Sequence, residues 1–413
     1  MLRKIYILLS VMILSATAVS LSHAYPQEDV RVGMAYYFQG AWPDKILGCR
    51  DDDTMCRTFR ADRPFSKYGC AVTSMAMLYG SYGFGRIPDE NHHPLYTGAE
   101  SDLNPATLNN FLAKSADPTL IFSNFGPALT RGFDSNYNLD WLKTTSNFFY
   151  ADINLLDDIH GNPVLNIRPY RYVVPNYDCA PINIQQQRRN GTFRTVTTSA
   201  SCFRVDWTTP GAMTWLDYDI QNNENPPIMK IEYQYNGTSK THFVVIAGYD
   251  PAVGGDGGYR DYNPGINDIT SDSPEPKALK GRTQYGRQGY EFRKLVTLYR
   301  FTPFWAMNQL DTSRVDITVH SPVEVQVIDP DGNLIGYDPE TGKKFLENPM
   351  SLYYVDTPVT SIDGGDAPAE PVKKLTIIQP RQGNYILNIF GTGNGPYTID
   401  MALTKSDGTP SLV

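Results

Sequence analysis

The stretch YGCAVTSMAMLYGSYG (residues 68–83) puts a cysteine at the start of an apolar run of helical character. Four roles are open to the Cys70 thiol: nucleophile, half of a disulfide, metal ligand or small core residue. At a helix N-terminus, unpaired N–H groups and the helix dipole favour thiolate over thiol, and the Cys70 N–H can help hold an oxyanion. Gly69 lets neighbouring backbone approach closely. A nucleophilic thiolate needs a base, and the base needs an orienting group. His242 opens the apolar run HFVVIAGYD just after polar Ser239, Lys240 and Thr241, which sets it at a sheet rim where its ring can enter a cleft. In the next segment, YRDYNPG, Asp261 and Asn263 are two residues apart and share a strand face. Either can orient the His242 ring. Along the chain the order is then nucleophile, base, orienter.

The remaining cysteines narrow the choice for Cys70. The chain has five: Cys49, Cys56, Cys70, Cys179 and Cys202. An odd number in an exported protein leaves at least one thiol unpaired. Cys49 and Cys56 bracket a short polar loop, and Cys179 and Cys202 bracket a Gln/Arg/Thr-rich segment. Both pairs close locally, leaving Cys70 over; pairing of Cys70 with Cys56 or Cys49 is the alternative. No C-x2-C or H-x3-H spacing joins these cysteines to His92 and His93, so a zinc site is not expected. His160 sits in a turn, DDIHGNP, and His320 lies toward the C-terminus.

Several elements must position these residues. The first 24 residues carry Arg3 and Lys4, an apolar run and a small-residue exit ending at Ala24, which reads as a secretory signal peptide. The mature chain is then secreted or periplasmic, where disulfides persist. No later run of 18 apolar residues follows, so no membrane span is expected in it. A strand is expected near residues 30–38 and a helix over 103–114, capped by Asn104 with Pro105 in its first turn. Residues 120–226 read as mixed structure with loops. Strands are expected over 226–237, ending on Asn-Gly, then over 241–250, 259–265 and 294–304. From about Asp311, short alternating strands separated by turn-rich stretches describe a small all-β sandwich. The net charge of −8 supplies no basic footprint for nucleic acid.

The segments 68–83 and 241–265 resemble the nucleophile, His and Asp motifs of the bacterial double-glycine (bacteriocin-leader) peptidase-like group, in the papain-like cysteine peptidase superfamily. YYFQGAWPDKILG and NPATLNNFL resemble its flanking segments. The likeness covers residues 36–267, interrupted by the middle region. It implies an α+β fold of papain-like type, with a helix packed on an antiparallel sheet. It also implies Cys70 as nucleophile, His242 as base, and Gln39 as the side-chain amide of the oxyanion hole. The group has Asp directly before the Pro of its last motif; here that position is Asn263, so Asn263 and Asp261 both stand as the third member. Gln39 precedes Cys70 by 31 residues, with the Cys49–Cys56 loop filling part of the gap. Trp42 is expected as a wall or core residue.

The expectation is a secreted cysteine hydrolase acting on a peptide or protein substrate through an acyl-enzyme, with no metal or organic cofactor. Its organisation would be a signal peptide over 1–24, a peptidase domain over 25–305 with an inserted region at about 120–226, and a β-sandwich over 306–413. The sandwich would dock to a surface or polymer ligand, or shield the cleft. Its turn DPDGN, with Asp329 and Asp331, reads as a tight turn rather than a calcium loop. An amidase, a cell-wall peptide hydrolase or a transglutaminase-like acyl transferase would use the same residues. A non-catalytic binding protein on the same scaffold is the alternative of another class. No G-x-x-x-x-G-K-[ST] phosphate loop is present, so leader processing coupled to ATP-driven export is not implied.

Overall fold

The computed structural model describes most of the chain between Val30 and Ser411. Outside the described residues lie 1–29, 89–99, 114–131, 134–138, 143–148, 158–162, 265–275, 281–289, 307–310, 357–370 and several shorter stretches. The signal peptide, His92, His93 and His160 fall among these. About 20% of the chain is helical and 43% is strand, in mostly antiparallel sheets. This is a mixed, β-rich architecture.

The helices used below, all among the described residues, are α1 (Thr54–Phe59), α2 (Phe65–Tyr68), α3 (Cys70–Ser81), α4 (Pro105–Leu112) and α5 (Ala212–Gln221). The central sheet contains β1 (Val30–Arg31), β2 (Arg204–Asp206), β3 (Ile228–Tyr235), β4 (Thr238–Tyr249), β5 (Tyr259–Tyr262), β6 (Lys277–Ala278) and β7 (Tyr290–Tyr299). Its order is β2-β7-β3-β4-β5-β6, with β1 also pairing with β4. β3 and β4 form a hairpin whose turn residues Asn236 (φ 48°) and Gly237 (φ 77°) are both left-handed, the geometry that matches strand twist.

Because β4 is covered on both sides, its run is apolar rather than alternating. Phe243, Val245 and Ala247 join the core of α3 and α4, while Val244 and Ile246 join Trp215, Leu216 and Ile220 of α5 on the other face. α3 is central, so its residues from Cys70 to Tyr79 are all buried and it shows no polar stripe. α4 forms as its sequence demands: Asn104 Oδ1 accepts from the N–H groups of Ala106 and Thr107, and Pro105 occupies the first turn.

Two expected strands differ. Of the strand expected over 30–38, Val30 and Arg31 pair with β4, the other described residues (Met34 and 36–38) lie outside any strand, and the chain goes on into a one-turn 3-10 helix at Gln39–Ala41. The strand expected over 294–304 breaks at Arg300. Its first part is β7, while Phe301–Ala306 pairs with Tyr170–Pro175 in a separate sheet. At the break the Arg300 guanidinium is buried, 1% exposed. Its Nε and Nη2 donate to the two carboxylate oxygens of Asp219 at 2.6 and 2.8 Å, and Nη1 donates to the carbonyl of Asp178 at 2.8 Å.

The C-terminal strands form a five-stranded and a four-stranded antiparallel sheet around a shared core that includes Val319, Val325, Ile335 and Leu375. This unit packs against the rest of the chain. Leu352 and Ile378 enter the α3 core, and the Pro349 carbonyl accepts from Ala200 N and Ser199 Oγ at 2.9 and 3.0 Å. At DPDGN, Asp329 Oδ1 accepts from the N–H groups of Asp331 and Asn333, which makes it a turn-forming side chain. The described residues contain no group of three or more metal-ligating side chains.

Candidate functional site

The cysteines pair locally, Cys49 with Cys56 and Cys179 with Cys202, and Cys70 is the free thiol. Cys70 is the first residue of α3, directly after α2, and Gly69 joins the two helices. Gly69 has ordinary helical-side angles (φ −76°, ψ 4°), so left-handed geometry does not require it. A Cβ there would lie 2.6 Å from both the ring and the carbonyl oxygen of Phe65, so close approach does.

The Cys70 sulfur meets the backbone of Phe243 on β4, and the N–H groups of Cys70 and Ala71 also donate toward it. Those donors are the helix-terminus effect expected from the sequence. Burial outweighs them. Cys70 is fully buried, and desolvation pushes its thiol up to about 11 despite the N–H groups and the nearby Lys230 ammonium. The expectation of a stabilised thiolate is thus overturned for this conformation. Lys230 stands opposite Phe243 in the β3–β4 pairing, 4% exposed, and burial lowers its own pKa.

His242 is one residue before Phe243 and is paired with Ile231. By strand parity it belongs with Val244 and Ile246, on the sheet face away from the α3 core, and the Tyr233 ring meets it edge-on at 6.2 Å. Its Nε2 lies 2.7 Å from Asn263 Oδ1, and both residues are 1% exposed. A neutral amide oxygen can only accept, so Nε2 carries the hydrogen and base chemistry falls to Nδ1. Asp261 is also fully buried, but its register partner on β4 is Ile246, so Asn263 is the residue brought against the ring.

Gln39 ties the two halves together. Its N–H donates to the carbonyl of Pro264 at 2.8 Å, and Tyr36 Oη donates to the carbonyl of Asn263 at 2.9 Å. Its side-chain Nε2 donates to the carbonyl of Ser66 at 2.8 Å, in the α2 turn that leads into Cys70. One amide hydrogen is therefore held by Ser66, and the second is what an oxyanion could use. Gln39 is fully buried, and its Oε1 takes no hydrogen bond among the described residues. Trp42 packs edge-on against Phe65 at 6.4 Å, as a core wall.

The chain matches no family model, curated protein or solved structure with which it was compared. The site must therefore be read from its own chemistry. Structure brings together His242 and Asn263 directly and sets Gln39 between their neighbours and Cys70, but it does not bring Cys70 to His242: the sulfur meets β4 at Phe243, on the sheet face opposite His242. Lys230, beside the thiol, was missed by sequence reasoning. Its signal was an isolated lysine within the strand PPIMKIEYQY. His320 lies apart in the C-terminal unit, 3.2 Å from Asp400.

Proposed function

We propose that this chain is a secreted cysteine hydrolase that cleaves peptide bonds, on a papain-like arrangement of helix and antiparallel sheet. The observation that carries the reading is the buried 2.7 Å contact of His242 Nε2 with Asn263 Oδ1, on the strand that the free Cys70 thiol meets from its other face at Phe243. Two disulfides, and the lack among the described residues of a helix long and apolar enough to cross a membrane, fit an exported protein.

In this reading Asn263 holds the ring so that His242 Nδ1 takes the Cys70 proton as sulfur attacks the amide carbonyl. The Cys70 N–H and the Gln39 amide stabilise the oxyanion. His242 then gives the proton to the leaving amine. Water adds to the thioester carbonyl, and the acid leaves as sulfur recovers a proton. His242 and the neutral, enclosed Cys70 thiol lie on opposite faces of β4 here, so this reading requires a rearrangement at the start of β4 that brings thiol and imidazole to one face.

The same burial favours a second reading, a non-catalytic binding protein on this scaffold. The two separate in one experiment. The mature protein and its Cys70→Ala variant are incubated with a mixed peptide library, and new termini are counted by mass spectrometry. Cleavage by the wild type alone supports the hydrolase; equal counts overturn it.

A further inference from the structure

Lys230 is a buried charge that takes no part in the proposed proton transfers. It sits within β3, and its register neighbours are Phe243 on β4 and Thr297 on β7. Strand parity gives it the face of Ile228, which belongs to the α3 core, while Met229 and Ile231 face α5. Its Nζ lies 5.8 Å from the centroid of the Phe243 ring, and the Cys70 sulfur meets the backbone of that same residue. Cys70 and Lys230 therefore share one side of the central sheet, the side opposite His242.

A lysine is seldom buried without a carboxylate. Here the carboxylate comes from the C-terminal unit. In the strand Ser351–Asp356, Leu352 enters the α3 core and Tyr354 packs against it. Period-two geometry carries Asp356 onto the same face. The Arg204 guanidinium stands 4.0 Å over the Tyr354 ring, which holds that face against β2. Asp356 Oδ2 pairs with Lys374 Nζ at 3.1 Å. The charged and titratable groups around Lys230 are thus Asp356 and Lys374 from the C-terminal unit, Arg204 from β2 and the Cys70 thiol from α3. Asp356 favours the charged amine, against burial and the two cations, which favour the neutral one. The nearby Tyr299 and Tyr354 phenols are neutral, because burial pushes both up.

We propose that Lys230 is the cation that stabilises the Cys70 thiolate, and that Asp356 of the C-terminal unit keeps this lysine charged. The purpose of such a thiolate rests on the hydrolase reading, whereas its electrostatics can be read without any substrate. His242 keeps the proton transfer, and Lys230 meets the negative sulfur on its own side of the sheet. The C-terminal unit gains a part in the site, because it carries the carboxylate that holds the charge on Lys230.

The test is the pH profile of Cys70 alkylation by iodoacetamide, a neutral reagent, on the mature protein, read by peptide mass. At an effective dielectric of about 20, a unit charge about 10 Å away changes an ionisation roughly tenfold. Lys230→Met should therefore slow labelling roughly tenfold at about pH 9 and move the profile to higher pH. Lys230→Arg, which keeps the charge, should stay within about threefold of wild type. Asp356→Asn should also slow labelling, because the lysine then sheds its proton at lower pH, and it should add nothing in the Lys230→Met background. Loosened packing has the opposite sign, since an exposed thiol labels faster, so slowing separates the charge from a structural role. Thermal melts confirm folding, and Asp356→Asn decides alone if Lys230→Met does not fold. A wild-type or faster rate in either folded variant would overturn the proposal. Peptide cleavage is read separately: its absence in the wild type sinks the hydrolase reading and leaves a slowed profile standing as evidence for the Lys230 charge.

Discussion

Alkylation of the native protein tests how the Cys70 environment works. Burial raises its thiol to about 11, whereas a free thiol titrates near 8.5. At pH 7.5 the thiolate fraction is then about 3 in 10,000, against about 1 in 10 for a free thiol. Ionisation alone should slow iodoacetamide labelling roughly 300-fold relative to the unfolded chain, and enclosure should slow it further. The rate should rise about tenfold per pH unit between pH 8 and 10, because the reactive fraction is still far from saturation. Peptide mass spectrometry of the non-reduced protein reads the site directly, since the other four cysteines are held in disulfides. His242→Ala should leave this profile unchanged, because desolvation sets it. Labelling at the free-thiol rate near neutral pH, with a midpoint below about 8.5, would refute the reasoning. It would mean that the thiol is ionised in solution, through an open site or an imidazolium partner.

Other consequences are separately measurable. Cys70 has a folded pKa above its unfolded one, so its contribution to stability is complete below pH ~8.5 and is lost as pH rises toward 11. Urea melts of wild type against Cys70→Ala should lose roughly 3 kcal/mol of difference over that window. Asn263→Ala removes the acceptor beside buried His242 and should cost about 1–3 kcal/mol in urea melts, with a larger loss of peptide cleavage than Asp261→Ala. The reverse ranking in cleavage would assign the orienting role to Asp261. Arg300→Met leaves the Asp219 carboxylate buried without its bidentate partner and should cost about 3–5 kcal/mol, partly regained in Arg300→Met/Asp219→Leu; no recovery would mean the pair is not the main loss. Replacing Cys179 and Cys202 together by Ala frees a loop of separation 23 and should lower stability by about 3 kcal/mol, read from the denaturation midpoint.

Much of this protein was legible in the order of its residues because the deciding forces are local. Asn104-Pro105 sets a helix start through backbone donors within three residues, and Asn236-Gly237 sets a hairpin through left-handed backbone angles. The cysteine pairs close short loops, so nearness in sequence selects Cys49 with Cys56 and Cys179 with Cys202. Period-two geometry put Asp261 and Asn263 on one face beside His242. It could not choose between them, since the choice depends on how far β5 runs along β4 before the chain reaches Pro264.

Other features exist only once distant segments meet. The Arg300 guanidinium, at the strand break, is held by Asp219, 81 residues earlier, which no periodicity registers. Gln39 acquires its place from a backbone bond to Pro264 and a side-chain bond to Ser66. Tertiary structure also reverses the expected state of Cys70. Sequence supplies a helix-terminal thiol with N–H donors, an effect that favours thiolate. Folding packs α3 between α4 and the central sheet, removes water from that thiol, and makes the neutral form win. Short-range hydrogen bonds and chain geometry are written in neighbouring residues, whereas desolvation belongs to the whole packed interior.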